Sequence, residues 1–298
     1  MILYALYRIG VALSLALPLK ASYYMAGVIA GLYCRVSKKD RMAVIDNLKT
    51  VLGCRADDAR LAVMGREVFK NFAKYLVDFF RFAKIDETYI KRLVTVEGTE
   101  HIDAALKAGK GAILLSAHIG NWELGGAALS FLGYPVNAVV LTHRNEKIND
   151  FFTGQRLHVR IRPIEIGASL KACYRAIKCN GLLALLGDRD FTKNGIVMNF
   201  FGKPATIPRG PAVFAYRQGS AVLPTFMVRN PDDTFRLFVE GPIIADRAKE
   251  EGAAVKEVAE KYLRAIESCI RKYPTQWYVF RNIWENDGAK SQRPDTVI

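Results

Sequence analysis

The feature that most constrains the fold is a short apolar run that ends in a turn. Residues 112–117 form the run, and Gly120 and Asn121 follow it with residue types that favour turns and helix N-caps. Residues 122–132 then show the pattern of a helix. The segment therefore predicts a buried central strand, a tight turn and a helix, which is a basic unit of α/β folds.

A histidine and a carboxylate flank this turn, five positions apart, at His118 and Glu123. On one continuous helix such positions point about 140° apart, so the turn must separate them. His118 then lies at the carboxyl end of a strand, where ligands gather in open α/β sheets. There Glu123 can orient the imidazole while His118 acts as a general base on a hydroxyl. The alternative is a half-buried histidine that closes the strand end.

Short apolar runs alternate with helical patterns from residue 111 onward. The predicted strands cover residues 112–117, 136–141, 162–166, 182–186, 221–227 and 235–240, and the predicted helices cover 122–132, 146–159, 169–179, 210–219 and 253–272. Further helices are predicted over 41–51, 57–82 and 87–93. The alternation predicts a layered α/β domain whose mostly parallel sheet is flanked by helices.

Two polar clusters follow predicted strands. The first contains Arg144 and Asn145 and extends to Arg156 on the next helix, and the second is the run of charges at residues 188–190. Charges beside a buried strand are costly unless they pair or meet a ligand. If both clusters converge on His118, their arginines can stabilise an oxyanion or hold an anionic headgroup. A salt-bridged loop is the alternative for residues 188–190.

The amino terminus is apolar over residues 2–32 apart from Arg8 and Lys20, and basic residues follow it at 35–41. This order predicts a retained N-terminal anchor helix over residues 1–34, kinked by Pro18, with a single domain over 35–298 on the cytoplasmic side. A buried hairpin packed on the domain is the alternative.

The overall charge favours anionic partners, because Lys and Arg outnumber Asp and Glu by 43 to 29. Nucleic acid, acidic lipid headgroups and an acidic carrier protein all fit this charge. The five cysteines contain no C-x-x-C pair, and the chain has neither a P-loop nor a G-x-G-x-x-G motif. A zinc site, a disulfide framework and nucleotide-driven chemistry therefore have no support in the sequence.

Together these segments resemble the bacterial lipid A biosynthesis acyltransferases, a family that includes phosphatidylinositol mannoside acyltransferases. The resemblance covers roughly residues 1–285. Residues 116–123, which read Ser-Ala-His-Ile-Gly-Asn-Trp-Glu, are similar to the family's H-x4-[DE] box. Later matches are Arg144-Asn145, Arg156, the block at residues 187–190, and the tryptophan-rich ending at 273–284.

The resemblance implies a fold like that of glycerol-3-phosphate acyltransferase and a membrane-associated O-acyltransferase at the cytoplasmic face of the inner membrane. The acyl donor would be acyl carrier protein or acyl-CoA, the acceptor a glycolipid hydroxyl such as that of a lipid A precursor, and no metal or cofactor would be needed. The implied catalytic residues are His118 as general base, Glu123 as its orienting acid and Arg156 as the group that polarises the thioester. The implied substrate-binding residues are Asn121, Trp122, Arg144, Asn145, Asp188, Arg189 and Asp190.

Some departures from the lipid A enzymes bear on the acceptor more than on the acyl chemistry. The chain reads Gly-Asp-Arg-Asp at residues 187–190, where those enzymes often read Pro-Asp-x-Asp. A lysophospholipid or an acylated mannoside is the alternative acceptor. Hydrolysis by His118 and Glu123 is a further alternative, although no G-x-S-x-G motif is present. A nucleic-acid-binding protein is a further alternative that only the basic charge suggests. It is remote, because basic and aromatic residues form no recognisable binding motif.

Overall fold

The computed structural model describes residues 2–53, 57–143, 145–166, 170–192 and 194–284. The helices are α1 (Ile2–Ala16), α2 (Leu19–Val36), α3 (Lys38–Leu52), α4 (Asp58–Phe80), α5 (Glu87–Leu93), α6 (Thr99–Lys107), α7 (Trp122–Phe131), α8 (Glu146–His158), α9 (Leu170–Lys178), α10 (Gly210–Gln218) and α11 (Glu251–Lys272). The strands are β1 (Val94–Glu97), β2 (Ala112–Ser116), β3 (Val136–Val140), β4 (Arg162–Glu165), β5 (Leu182–Leu186), β6 (Ile196–Phe200), β7 (Lys203–Ile207), β8 (Ala221–Arg229) and β9 (Phe235–Val239).

Seven of these strands form one sheet in the order β1-β9-β8-β2-β5-β3-β4. Every neighbouring pair is parallel except β8 with β9. Strand β2 lies at the centre, and its last residue, Ser116, is in register with Leu186 at the end of β5. The chain segments that follow β2 and β5 therefore emerge side by side at one edge of the sheet.

The predicted α/β class with a mostly parallel sheet is confirmed, and each predicted strand overlaps a strand of the structure. Strand β1, helix α6 and the antiparallel hairpin of β6 and β7 were not predicted from the sequence. The loop of that hairpin is Phe201-Gly202, with φ of 53° and 83°. A two-residue loop of this kind usually contains Asn-Gly or Asp-Gly. Because Phe201 stands in the first position here, the sequence did not show the usual signal for a hairpin.

The central strand contributes to a core on each face of the sheet. Ile113 and Leu115 belong to one buried apolar cluster, whereas Leu114 belongs to another. Successive side chains of a strand point to opposite faces, so both faces of β2 are covered. This explains why β2 reads as an unbroken apolar run rather than as an alternating pattern.

The amino terminus differs from the predicted single anchor helix. Its residues form two helices, α1 and α2, that meet at Pro18. Proline lacks the amide hydrogen and restricts the residue before it, so the regular hydrogen bonding of a helix is interrupted at this point. Among the described helices, none is both long and apolar enough to cross a membrane. We call α1 and α2 the N-terminal hairpin; Arg81 and Lys84 donate to main-chain carbonyls of α1 and its end.

A buried ion pair links this hairpin to the sheet. The carboxylate of Asp78 on α4 accepts hydrogen bonds from Arg229 at the end of β8, from the Tyr23 hydroxyl on α2 and, at 2.8 Å, from the Asn121 amide. Arg229 also donates to the Tyr23 hydroxyl at 3.0 Å. Asp78 and Arg229 are only 1% and 8% exposed, so Asp78 depends on Arg229 for charge compensation, whereas Arg229 also lies 3.3 Å from the carboxylate of Asp233.

We expect Arg229→Met to lower the free energy of unfolding by about 3–5 kcal/mol, because it leaves Asp78 as an uncompensated buried charge. The double variant Asp78→Leu/Arg229→Met should be more stable than this single variant, since no lone charge remains. Urea unfolding measures both. Lys70→Ala is the control: it breaks an ion pair with Glu67 whose side chains are 46% and 43% exposed, and it should cost less than about 1 kcal/mol. A double variant as unstable as Arg229→Met would contradict this assignment.

Candidate active site

The turn after β2 is fixed by main-chain contacts and by a glycine. Gly120 has φ of +62°, and a Cβ built there would lie 1.8 Å from the carbonyl oxygen of Met227. Its amide donates to the carbonyl of Gln276 at 2.8 Å, and the amide of Asn121 donates to the carbonyl of Met227 at 2.9 Å. Only glycine fits so close to another main chain, and the tight turn carries His118 at its start.

Asn121, which was predicted to bind substrate, closes the turn. Its side-chain oxygen accepts the amide of Leu124 at 3.1 Å and so caps α7, while its nitrogen donates to Asp78. Both ends of the Asn121 amide are therefore used within the protein. The strand, turn and helix predicted from this segment are all present.

His118 is held by the carboxylate of Asp188, which follows β5. The imidazole Nδ1 lies 2.8 Å from Asp188 Oδ1, and the main-chain amide of His118 donates to Oδ2 at 3.1 Å. Burial alone would raise the pKa of Asp188, but His118 and further hydrogen bonds outweigh this effect and lower it to about 2. An ionised carboxylate accepts the hydrogen of Nδ1, which leaves the lone pair of Nε2 for a proton.

The orienting partner of His118 differs from the prediction. The carboxylate of Glu123 accepts from Arg156, with Nε 3.1 Å from both oxygens and Nη2 2.5 Å from Oε1. Burial alone would lower the pKa of Arg156, but Glu123 outweighs it and raises the pKa. Asp188 therefore has the orienting role that was predicted for Glu123. Strand β5 lies beside β2, which brings Asp188 next to His118, whereas Glu123 lies on α7 and contacts Arg156 on α8.

Aromatic rings surround the imidazole. The rings of Trp122 and His118 form a T-shaped contact at a centroid distance of 5.3 Å, and Trp122 stacks on Tyr75 at 4.4 Å. Phe191 lies 6.0 Å from the imidazole on the loop after Asp188. Burial and the nearby Glu123 raise the pKa of Tyr75 well above its usual range, so its hydroxyl stays protonated.

The other predicted residues lie at different distances from this centre. Asn145 caps α8 by accepting the amide of Ile148 at 3.3 Å. The guanidinium of Arg189 lies over the ring of Phe191, and Asp190 accepts the amides of Thr192 and Gly195. Arg144 lies outside the described residues.

A cavity of about 1740 Å³ brings several of these side chains together. His118, Trp122, Glu123, Arg156, Arg189 and Asp190 all line it. Apolar side chains of the sheet and of the N-terminal hairpin, among them Leu114, Val136, Met227, Leu6 and Ile29, supply further lining. The volume exceeds the roughly 300–1,000 Å³ of pockets for drug-sized ligands, so the cavity can hold a long apolar chain.

Two contributors were not selected from the sequence. The indole nitrogen of Trp277 donates to Asp188 Oδ2 at 2.9 Å, and the tryptophan-rich ending was the available signal. Ser116 lines the cavity two residues before His118, and its buried hydroxyl has no hydrogen-bond partner within the part of the chain that the structure describes. A buried hydroxyl in this state is one that a bound ligand can satisfy.

Comparison with known proteins gives a consistent result. A family model described as bacterial lipid A biosynthesis acyltransferase matches residues 1–286. The phosphatidylinositol mannoside acyltransferase of Mycobacterium tuberculosis H37Rv is 26% identical over 75% of this chain and 71% of its own length. The protein of the same name from Mycolicibacterium smegmatis is 25% identical over 76% of this chain and 74% of its own length.

The lowered pKa of Asp188 predicts a pH-dependent contribution to stability. Its ionisation stabilises the fold above the ordinary pKa of 3.8, and this contribution is lost as the pH falls toward about 2. Asp188→Asn should therefore cost about 2 kcal/mol at pH 6, and its difference from the wild type should shrink between about pH 4 and pH 2. Urea unfolding across this range measures the effect. A difference between Asp188→Asn and the wild type that stays constant over this range would contradict the assignment.

Proposed function

Since the chain belongs to the bacterial lipid A biosynthesis acyltransferase family and is an acyltransferase, we propose that it moves a fatty acyl group from acyl carrier protein or acyl-CoA to a hydroxyl of a glycolipid. The observation that carries this proposal is the His118–Asp188 pair, which is buried beside a large cavity with many apolar walls. The reaction needs no cofactor, because a thioester is already activated toward attack.

His118 acts as the general base in this proposal. Its Nε2 takes the proton of the acceptor hydroxyl while that oxygen attacks the thioester carbonyl carbon and forms the new C–O bond. The C–S bond then breaks, and the imidazolium returns the proton to the departing thiolate. Asp188 stabilises the imidazolium between these steps, because its ionised carboxylate faces Nδ1.

Arg156 is the proposed stabiliser of the negative charge that develops on the carbonyl oxygen. Glu123 holds its guanidinium through Nε and Nη2, which makes Nη1 the nitrogen proposed to face the substrate. The rings of Phe79 and Phe152 lie 5.7 and 5.8 Å from the guanidinium carbon. Such apolar surroundings strengthen a hydrogen bond to an oxyanion.

The acceptor we favour is an acylated mannoside glycolipid. Two of the relatives carry the name phosphatidylinositol mannoside acyltransferase, and their similarity extends over three quarters of this chain. Because Asp188 is used by His118, the headgroup pocket expected at residues 188–190 is left to Arg189 and Asp190, both of which line the cavity. A lipid A precursor and a lysophospholipid are the other acceptors to test.

The N-terminal hairpin is the proposed contact with the membrane. It exposes large apolar side chains, including those of Leu6, Ile9, Tyr24, Ile29, Leu32 and Val36. The chain also has a formal net charge of +14, which attracts it to anionic lipid. We therefore propose that the protein works at the cytoplasmic face of the inner membrane with the hairpin on the lipid surface.

We expect His118→Ala and Asp188→Asn each to lower acyl transfer by about 10²–10⁴-fold, because they remove the base and its orienting carboxylate. His158→Ala, on an exposed histidine of α8, should retain activity. The assay supplies a labelled acyl group on CoA or on acyl carrier protein, together with each candidate acceptor, and the labelled products are then separated. Full activity of His118→Ala would overturn the proposed mechanism, and free fatty acid as the sole product would indicate a hydrolase.

We expect Val28→Asp/Leu32→Asp to weaken binding to phosphatidylglycerol-containing vesicles at least about tenfold, because two apolar side chains of the hairpin become charged. Both side chains are about half exposed, at 47% and 54%, so unfolding by urea should change little. Val197→Asp on β6, where the side chain is 71% exposed, is the control and should bind as the wild type does. Equal binding of all three proteins in co-sedimentation would contradict the role of the hairpin.

A further inference from the structure

The segment over residues 274–281, which we call the C-terminal strap, runs along the catalytic turn, by which we mean residues 118–121 after β2. The amide of Tyr278 donates to the carbonyl of His118 at 2.7 Å, and the carbonyl of Gln276 accepts the amide of Gly120 at 2.8 Å. Between these contacts Ile119 and Trp277 form an antiparallel bridge. The strap therefore holds the main chain of the turn on both sides of Trp277.

The side chain of Trp277 continues this contact into the site. Its indole Nε1–H donates to Asp188 Oδ2 at 2.9 Å, and the residue is 3% exposed. The rings of Phe200, Phe201 and Trp284 each lie 6.2 Å from it. Packed in this way, the indole has little freedom to turn away from the carboxylate.

We infer that Trp277 is a positioning residue for His118, acting by fixing the Asp188 carboxylate so that Oδ1 stays aligned with the imidazole. Asp188 uses Oδ1 for the imidazole, whereas Oδ2 receives the indole N–H and the main-chain amide of His118. Two donors on Oδ2 set the plane of the carboxylate, which would otherwise rotate about its Cβ–Cγ bond. The inference rests on the proposed function, in which His118 is the base.

Losing the indole N–H has a consequence that loss of packing does not have. Burial alone would raise the pKa of Asp188, and the hydrogen bond from Trp277 is one of the contacts that lower it. Without this donor, less of the negative charge of the Asp188 carboxylate is compensated at Oδ2. The carboxylate therefore attracts the imidazolium of His118 more strongly. The acid limb of kcat/KM, where His118 becomes protonated, should move to higher pH. Looser alignment should also lower kcat/KM by roughly 10–100-fold.

The test compares Trp277→Phe with replacement of Trp277 by β-(3-benzothienyl)alanine, which keeps the bicyclic shape but lacks the N–H. Trp284→Phe is the matched control, because this indole belongs to the same aromatic cluster and donates instead to the carbonyl of Phe200 at 2.9 Å. Two readouts are measured on the full chain. One is the pH profile of transfer from palmitoyl-CoA to a phosphatidylinositol mannoside, and the other is the titration of the His118 imidazole by ¹⁵N NMR, assigned with His118→Gln.

We expect the benzothienyl protein to shift both the acid limb and the imidazole titration upward, while Trp284→Phe shifts neither. If the wild type transfers acyl groups and the benzothienyl protein keeps both midpoints, the inference is overturned. If the wild type transfers nothing but the imidazole titration still shifts, the proposed function fails and the coupling of Trp277 to His118 stands. If Trp277→Phe does not fold, the benzothienyl protein alone decides, since its packing is conserved.

Discussion

The buried ion pair of Asp78 and Arg229 is the interaction on which the arrangement of the site depends. Burying two charges costs several kcal/mol per ion unless every partner is in place. Here the partners come from separate segments: the hydroxyl of Tyr23 from the N-terminal hairpin and the amide of Asn121 from the start of α7. Because Asn121 also closes the turn after His118, the same charge network anchors the hairpin and the catalytic turn.

The ionisable side chains at the centre of the site form two separate pairs. Asp188 holds His118, and Glu123 holds Arg156, each at hydrogen-bond distance. With one carboxylate for each, the base and the proposed oxyanion donor are oriented independently, which is the preorganisation that electrostatic catalysis requires.

The N-terminal hairpin contributes to the cavity as well as to the surface. Leu6, Ile9 and Ile29 are each more than half exposed, and all three also line the cavity that contains His118. The exposed apolar surface of the hairpin is therefore continuous with the wall of the cavity. In the proposed function, this continuity lets an acyl chain pass between a lipid surface and the site with little exposure to water.

The sequence by itself determined the local structure around the site. The apolar run of β2, the turn at Gly120 and the cap at Asn121 specify strand, turn and helix through short-range sterics and hydrogen bonding, and they place His118 at a strand end. The sequence also placed charges after β5, at residues 188–190.

Only the tertiary structure decided which carboxylate meets which cation, because pairing depends on strand order, and no spacing along the chain reveals that β5 lies beside β2. The same reason concealed Trp277, which reaches Asp188 across 89 positions of sequence.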